Sequence, residues 1–188
     1  MKIFISDLSE IINQSHIIEG YVDRLKNQDL SRYHQITDCN RRMQFLIGRM
    51  MIYDHFGDGF HVAENGKLIA DKRYLSLAHS KNLVILGVSD SEIGVDVEDV
   101  TKNRNFIALA KHCHFEETTN NLSFYKNFTQ YEADYKIGKA VSYHEFVCWR
   151  DFIICIASET PIKQLECFKT VPFVSCDQES VSKLYDNS

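Results

Sequence analysis

The dipeptide Asn65-Gly66 constrains the fold of this 188-residue chain more than any other feature. It lies between two short β-type runs, 60–63 and 67–70, and Asn-Gly is the strongest short-range signal for a tight β-hairpin. Two more β-type runs follow, at 74–79 and 82–88. The first half of the chain is therefore expected to contain antiparallel strands.

A long helix is expected before this hairpin. Asp38 is a favourable N-cap, and Gly57 and Gly59 follow the helical pattern, so the helix should run from about 38 to 55. Its apolar residues recur at helical spacing: Met43, Leu46, Ile47 and Met50.

The second half repeats this order. A helix is expected over 121–141, where an aromatic stripe at helical spacing is read as core. The stripe consists of Phe124, Phe128, Tyr131 and Tyr135. Three β-type runs follow the helix, at 145–149, 152–158 and 163–170.

The repeated order predicts an α+β fold with two similar halves, 1–92 and 93–188. Each half would pack a long helix on a small antiparallel sheet. No low-complexity linker separates the halves, so they are expected to form one body. One chain could then supply both sides of a cleft, which predicts a monomer.

Bulk composition limits the functional classes. The formal net charge of −5 argues against nucleic-acid binding, and no run approaches the roughly 18 apolar residues of a membrane span. Six cysteines occur without a Cys-x-x-Cys pair, which favours reduced thiols over a disulfide framework. The protein is expected to be cytoplasmic.

The strand-like run 93–98 carries the clearest chemical signal. In a strand, successive side chains alternate faces, so Ile93, Val95 and Val97 point one way. Asp96 and Glu98 point the other way, roughly 6–7 Å apart. Two acids on one face are costly unless water solvates them or a cation lies between them.

A third carboxylate, Glu132, lies on the predicted second helix, one turn before Lys136. Three carboxylates and an ammonium group suit Mg²⁺ holding a phosphate-bearing substrate. Two simpler interpretations remain open on spacing alone. The strand-end acids could be merely solvated, and Glu132 and Lys136 could form an ordinary i,i+4 surface ion pair.

Four segments, read in order, resemble the 4′-phosphopantetheinyl transferase superfamily in its single-chain, pseudo-dimeric branch. They are Arg41-Arg42-x-x-Phe45-Leu46-x-Gly48-Arg49, Gly66-Lys67 with the strand 74–80, Gly94-Val95-Asp96-Val97-Glu98, and Phe128-Thr129-Gln130-Tyr131-Glu132-Ala133-x-x-Lys136. The resemblance covers about residues 38–140. This chain departs from the family pattern at Leu68, Ser76, Ala78, Phe128 and Tyr131.

The resemblance implies an activity. Members of the family move phosphopantetheine from coenzyme A to a serine of an acyl or peptidyl carrier protein and release 3′,5′-ADP, a holo-[acyl-carrier-protein] synthase reaction. Mg²⁺ would be held by Asp96, Glu98 and Glu132, and Lys136 would contact the leaving phosphate. Glu98 or Glu132 would take the serine proton, and spacing does not decide between them.

The resemblance also implies coenzyme A contacts in the cleft between the halves, from Lys67, His79, Arg42, Arg49 and Lys136. Simpler roles remain open for each. Lys67 could be a solvated hairpin lysine, and the arginines could lie on a solvated helix face. His79 shares strand parity with apolar residues and could belong to the core.

Two other functions are consistent with the same residues. The substitutions at Phe128 and Tyr131 are compatible with a catalytically degenerate protein that binds coenzyme A or a carrier protein without transfer. The three intact acids argue against it. The third possibility is a different Mg²⁺-dependent phosphoester enzyme on the same scaffold, which only the acids support.

Overall fold

The computed structural model describes residues 1–11, 15–63, 67–102, 104–115 and 120–170. Its helices are α1 (Ser15–Arg24), α2 (Asn27–Gln35), α3 (Cys39–Phe56), α4 (Phe106–His112) and α5 (Asn121–Ile137). Its strands are β1 (Lys2–Asp7), β2 (Phe60–Val62), β3 (Leu68–Ala70), β4 (Arg73–Ser80), β5 (Leu83–Ser89), β6 (Ile93–Asp99), β7 (Tyr143–Trp149), β8 (Phe152–Ser158) and β9 (Glu166–Lys169). The α+β class is confirmed.

The described strands form two sheets. One has six strands in the order β2-β3-β4-β5-β1-β9, and the other has three in the order β6-β8-β7. All pairs are antiparallel except β1 with β9. The hairpin strands β2 and β3 pair as expected, although the Asn65-Gly66 turn itself lies outside the described residues. The expected boundary between two halves at residue 92 stays a prediction. Strand β9 lies in the expected second half, but it pairs with β1 in the first sheet.

The elements stack as helix, sheet, sheet, helix. Helix α3 packs on the six-stranded sheet through Leu46, Ile47 and Met50, all fully buried. The other face of that sheet meets the three-stranded sheet across an aliphatic core, and α5 packs on the outer face of the smaller sheet. Two sheets packed face to face thus occupy the middle of the protein, with helices outside them.

The caps of the two long helices explain where they begin and end. Asp38 accepts a hydrogen bond from the Arg41 backbone nitrogen at 2.7 Å and starts α3, as expected. Gly138 adopts a left-handed conformation with φ of 90° and ends α5 at Ile137. The expected extension to residue 141 was therefore wrong. In the described part of the chain, no helix is long and apolar enough to cross a membrane.

The aromatic stripe of α5 is core only at its beginning. Phe124 is fully buried and Phe128 packs beside it, under α4 and Phe115. Tyr131 is 50% exposed and Tyr135 is 73% exposed, so the core assignment was wrong for these two. Helix α4 has seven residues and covers only the first part of the stripe.

Candidate active site

The side chains of strand β6 alternate between its two faces, as the sequence predicts. Ile93, Val95 and Val97 lie in the core between the sheets. Asp96 and Glu98 point to the opposite side, and both are more than nine-tenths buried. Two neighbouring carboxylates are thus held in a poorly solvated environment, where each needs a positively charged or hydrogen-bonding partner.

Gly94 lets α5 approach this strand. A Cβ at position 94 would overlap the carbonyl oxygen of Ala133 and lie 2.9 Å from its carbonyl carbon. Only glycine therefore allows the two backbones to lie this close. The contact places Glu132 and Lys136, which flank Ala133 on α5, beside the acids of β6.

The edge of β6 is fixed by two serines of β4. The Val95 backbone nitrogen donates to Ser76 Oγ at 3.0 Å, and the Asp99 nitrogen donates to Ser80 Oγ at 3.3 Å. Because β6 pairs with a strand only on its β8 side, these hydroxyls satisfy backbone donors on its other side. The acids are thereby held at a defined position relative to the first sheet.

Asp96 has one satisfied oxygen and one unsatisfied oxygen. Lys136 Nζ donates to Asp96 Oδ1 at 3.0 Å and to the Val95 carbonyl at 2.7 Å. Oδ2 is buried and has no hydrogen-bond donor within the described residues. Burial raises the pKa of Asp96 to about 6, Lys136 opposes the shift, and the charges of Glu98 and Glu132 add to it. Glu98 and Glu132 are thus each close enough to repel the Asp96 carboxylate.

Glu98 has two cationic partners that the sequence did not reveal. Its Oε2 accepts from Lys102 Nζ at 3.0 Å and from Ser80 Oγ at 3.2 Å. Its Oε1 lies 3.4 Å from Arg104 NH1. Lys102 is four residues after Glu98, but the helical i,i+4 rule does not apply beyond a strand end, so no sequence signal indicated this pair.

Glu132 is half-buried, and its carboxylate makes no hydrogen bond or ion pair with any residue that the structure describes. The simple surface pair of Glu132 with Lys136 is not formed, since Lys136 binds Asp96 instead. Among the described residues, no three His, Cys, Asp or Glu side chains are arranged to hold a metal ion. Asp96 and Glu98 are thus paired with side-chain cations, Asp96 with an ammonium group and Glu98 with an ammonium and a guanidinium group.

Two cavities adjoin β4. The first, about 370 Å³, lies against α2 and α3 and is lined by Arg32, Arg41, Arg49 and His79. The second, about 500 Å³, lies towards α5 and is lined by Lys67, Tyr74, Tyr135 and Lys136. Leu68 and Leu77 line both cavities. Both cavities therefore combine apolar walls with a few basic side chains, and Lys136, which binds Asp96, lines the second.

His79 lines the first cavity beside Arg41, which belongs to the motif of the resemblance but was not among the expected coenzyme A contacts. The Arg41 guanidinium lies within hydrogen-bonding distance of both ring nitrogens, 3.2 Å from Nδ1. Burial, followed by the charges of Arg41 and Lys136, lowers the pKa of His79 to about 4. The imidazole is therefore neutral near pH 7 and can accept a hydrogen bond from Arg41.

The arginines expected to bind phosphate have different surroundings. Arg49 Nε donates to Asp29 Oδ1 at 3.0 Å, which ties α3 to α2, although the side chain also lines the first cavity. Arg42 Nε donates to the Ile36 carbonyl at 2.8 Å, and its guanidinium lies over the Tyr33 ring. The structure does not bring Arg42 together with His79.

Lys67 is placed at the second cavity, where Lys136 also lies. Its ammonium group forms an ion pair with Glu92 at 2.6 Å. The side chain is mostly buried rather than solvated at a hairpin tip. Lys67 and Lys136 thus provide two ammonium groups along one cavity wall.

Replacing His79 with glutamine should change how stability depends on pH. The unfolded imidazole has a pKa near 6.5 and the folded one near 4, so protons bind the unfolded chain more tightly. Wild-type stability is full above pH 6.5 and is lost as the pH falls towards 4. Urea unfolding should show a wild-type loss of about 2 kcal/mol between pH 8 and pH 5 that the variant lacks. Equal losses would mean that the imidazole is not held neutral.

No protein-family model matches this chain, and the search of curated proteins finds no match.

Proposed function

We propose that this protein transfers 4′-phosphopantetheine from coenzyme A to a serine of an apo acyl or peptidyl carrier protein. The observation that carries the proposal is Asp96, a buried acid bonded to Lys136 and close to Glu98 and Glu132, with one oxygen that has no partner among the described residues. Lys136 lines the second of two cavities that contain basic side chains and share Leu68 and Leu77. The proposed fold is accordingly the pseudo-dimeric phosphopantetheinyl transferase arrangement, with coenzyme A between its halves.

The cavities divide the cations in a way that suits coenzyme A. Arg32, Arg41 and Arg49 supply guanidinium groups to the first cavity, which fits a nucleotide phosphate. Lys67 and Lys136 supply ammonium groups to the second, which fits the diphosphate. A phosphate beside His79 would also offset the charges of Arg41 and Lys136, which together with burial lower the pKa of the imidazole, and would favour protonation.

The acids fit Mg²⁺ by their chemistry. All three donors are carboxylates, the hard oxygen ligands that Mg²⁺ prefers, and Asp96 Oδ2 is buried with no donor among the described residues. Asp96, Glu98 and Glu132 would hold the ion. When bound, Mg²⁺ supplies positive charge that neutralises the diphosphate oxygens.

The transfer exchanges one P–O bond for another. The carrier serine oxygen bonds to the phosphorus that bears pantetheine, and the bridging P–O bond breaks to release 3′,5′-ADP. Lys136 places its ammonium group where negative charge develops. Glu98 or Glu132 takes the serine proton; in the free protein Glu98 accepts from Lys102 and Arg104, whereas the Glu132 carboxylate has no such partner in the described chain.

The direct test is incubation of the purified protein with coenzyme A, MgCl₂ and a panel of apo carrier proteins, followed by mass spectrometry of each carrier. Addition of one phosphopantetheine group to a carrier serine, absent when EDTA replaces MgCl₂, is the expected result. Breakdown of coenzyme A with no labelled carrier would instead indicate a different phosphoester enzyme.

One observation favours the second candidate, a catalytically degenerate protein that binds coenzyme A or a carrier protein. The charge of Glu98 is already neutralised by Lys102 and Arg104. Among the described residues, no three His, Cys, Asp or Glu side chains are arranged to hold a metal ion. Such a protein would bind coenzyme A or carriers in a titration and leave every carrier mass unchanged. The same experiment therefore separates the two candidates.

A further inference from the structure

Glu98 is the one proposed metal ligand whose two oxygens both face cations. Its side chain is 11% exposed, whereas those of Lys102 and Arg104 are 30% and 31% exposed. The acid is thus fixed inside the protein, and its partners reach it from the solvent side. Asp96 has a single cationic partner, Lys136, on one oxygen only, and that lysine also donates to the Val95 carbonyl.

The backbone of the loop that carries Lys102 is held by α5, while the Lys102 ammonium group donates to Ser80 Oγ at 2.8 Å as well as to Glu98. The Tyr125 hydroxyl donates to the Lys102 carbonyl at 2.9 Å, and the Asn121 amide donates to the Val100 carbonyl at 3.1 Å. Both donors belong to α5. The Lys102 ammonium can therefore change partners by rotation about side-chain bonds while its backbone stays in place.

A divalent cation and the Lys102 ammonium cannot both occupy Glu98 Oε2 without strong repulsion. Mg²⁺ binds carboxylate oxygens at about 2.1 Å, and Lys102 Nζ lies 3.0 Å from the same oxygen. The ion and the ammonium nitrogen would then be at most about 5 Å apart, in a site with little water to screen them. A phosphate oxygen is the natural alternative partner for a lysine and an arginine.

From this geometry, and resting on the proposed function, we infer that Lys102 and Arg104 exchange partners during binding. In the free protein they neutralise Glu98 and weaken its affinity for a divalent cation. When a diphosphate-bearing molecule binds, they move to its oxygens, and Glu98 becomes available beside Asp96 and Glu132. The anion thereby prepares the metal site.

Replacing Lys102 with methionine tests this exchange, because it should change the two affinities in opposite directions. In the absence of nucleotide, Mn²⁺ binding followed by electron paramagnetic resonance should tighten by about tenfold. Coenzyme A binding followed by calorimetry in EDTA should weaken by about fivefold, because a phosphate contact is lost and Glu98 loses a neutralising charge. A residue with only a structural role would weaken both.

Two control variants accompany this measurement. Lys81→Met removes the same charge from the neighbouring acid, Asp99, and should leave both affinities within about twofold. Asp96→Asn should abolish Mn²⁺ binding, which places the bound ion at this site. Thermal unfolding of each variant confirms that it is folded.

The outcomes distinguish this inference from the proposed function. Unchanged or weaker Mn²⁺ binding by Lys102→Met, with binding still lost in Asp96→Asn, overturns the partner exchange and leaves the metal site standing. Unchanged coenzyme A affinity overturns the exchange as well. Carrier labelling by the wild-type protein is measured separately and reports on the transferase proposal alone.

Discussion

Replacing Asp96 with alanine is expected to reduce phosphopantetheine transfer by about a thousandfold or more while the protein stays folded. Asp96 supplies the unpartnered buried oxygen and holds Lys136, so its loss removes a metal ligand and releases a cation. Burial raises the pKa of Asp96 to about 6, so at neutral pH the ionised Asp96 carboxylate destabilises the folded protein rather than stabilising it. The loss should therefore appear in turnover and not in folding.

The measurement is the initial rate of carrier modification at saturating coenzyme A, together with thermal unfolding. Asp96→Asn, which keeps the side-chain shape, should lose activity to a similar extent. Asp90→Ala is the matched control, since Asp90 is almost fully exposed and lies 3.5 Å from Arg73 at the protein surface. Near-normal turnover in Asp96→Ala would show that this acid does not hold the metal.

Replacing Gly94 with alanine is expected to destabilise the protein by about 3 kcal/mol or more. The new Cβ would overlap the carbonyl oxygen of Ala133, which is backbone and cannot rotate away. Helix α5 must then move off β6, and Lys136 moves with it, away from Asp96. Transfer should fall together with stability, because the acids and the lysine come from these two elements.

Urea unfolding followed by circular dichroism measures this effect. Gly20→Ala provides the control, because a Cβ at that position of α1 meets no atom within 4 Å. Alanine is the better helix former there by up to about 1 kcal/mol, so the control should be unchanged or slightly more stable. A Gly94→Ala protein as stable as the wild type would contradict the close approach of α5 to β6.

The secondary structure could be predicted where the signals were local. The Asp38 cap, the apolar period of α3 and the alternation of β6 all depend on residues near one another in the chain, and each element was found close to its expected bounds. One error was local, since Gly138 ends α5 at Ile137 rather than at 141. The other arose where distant residues decide. Tyr131 and Tyr135 share the spacing of a buried stripe, but α4 does not extend over them.

The candidate site could be predicted only in part. Alternation placed Asp96 and Glu98 on one face, and the resemblance added Glu132 and Lys136. The partner of each charge was not predictable. Arg41 meets His79 through the packing of α3 on β4, and Lys102 reaches Glu98 because the chain turns back after β6.

The sequence by itself determined the strands, the long helices and the face on which the β6 acids lie, because these follow from backbone periods of 2 and 3.6 residues. The tertiary structure alone decided that β9 joins the first sheet, that Gly94 brings α5 against β6, and which cation neutralises each acid. Those outcomes depend on contacts between residues far apart in the chain. No local sequence pattern encodes these contacts. The contacts determine whether Asp96, Glu98 and Glu132 lie near one another.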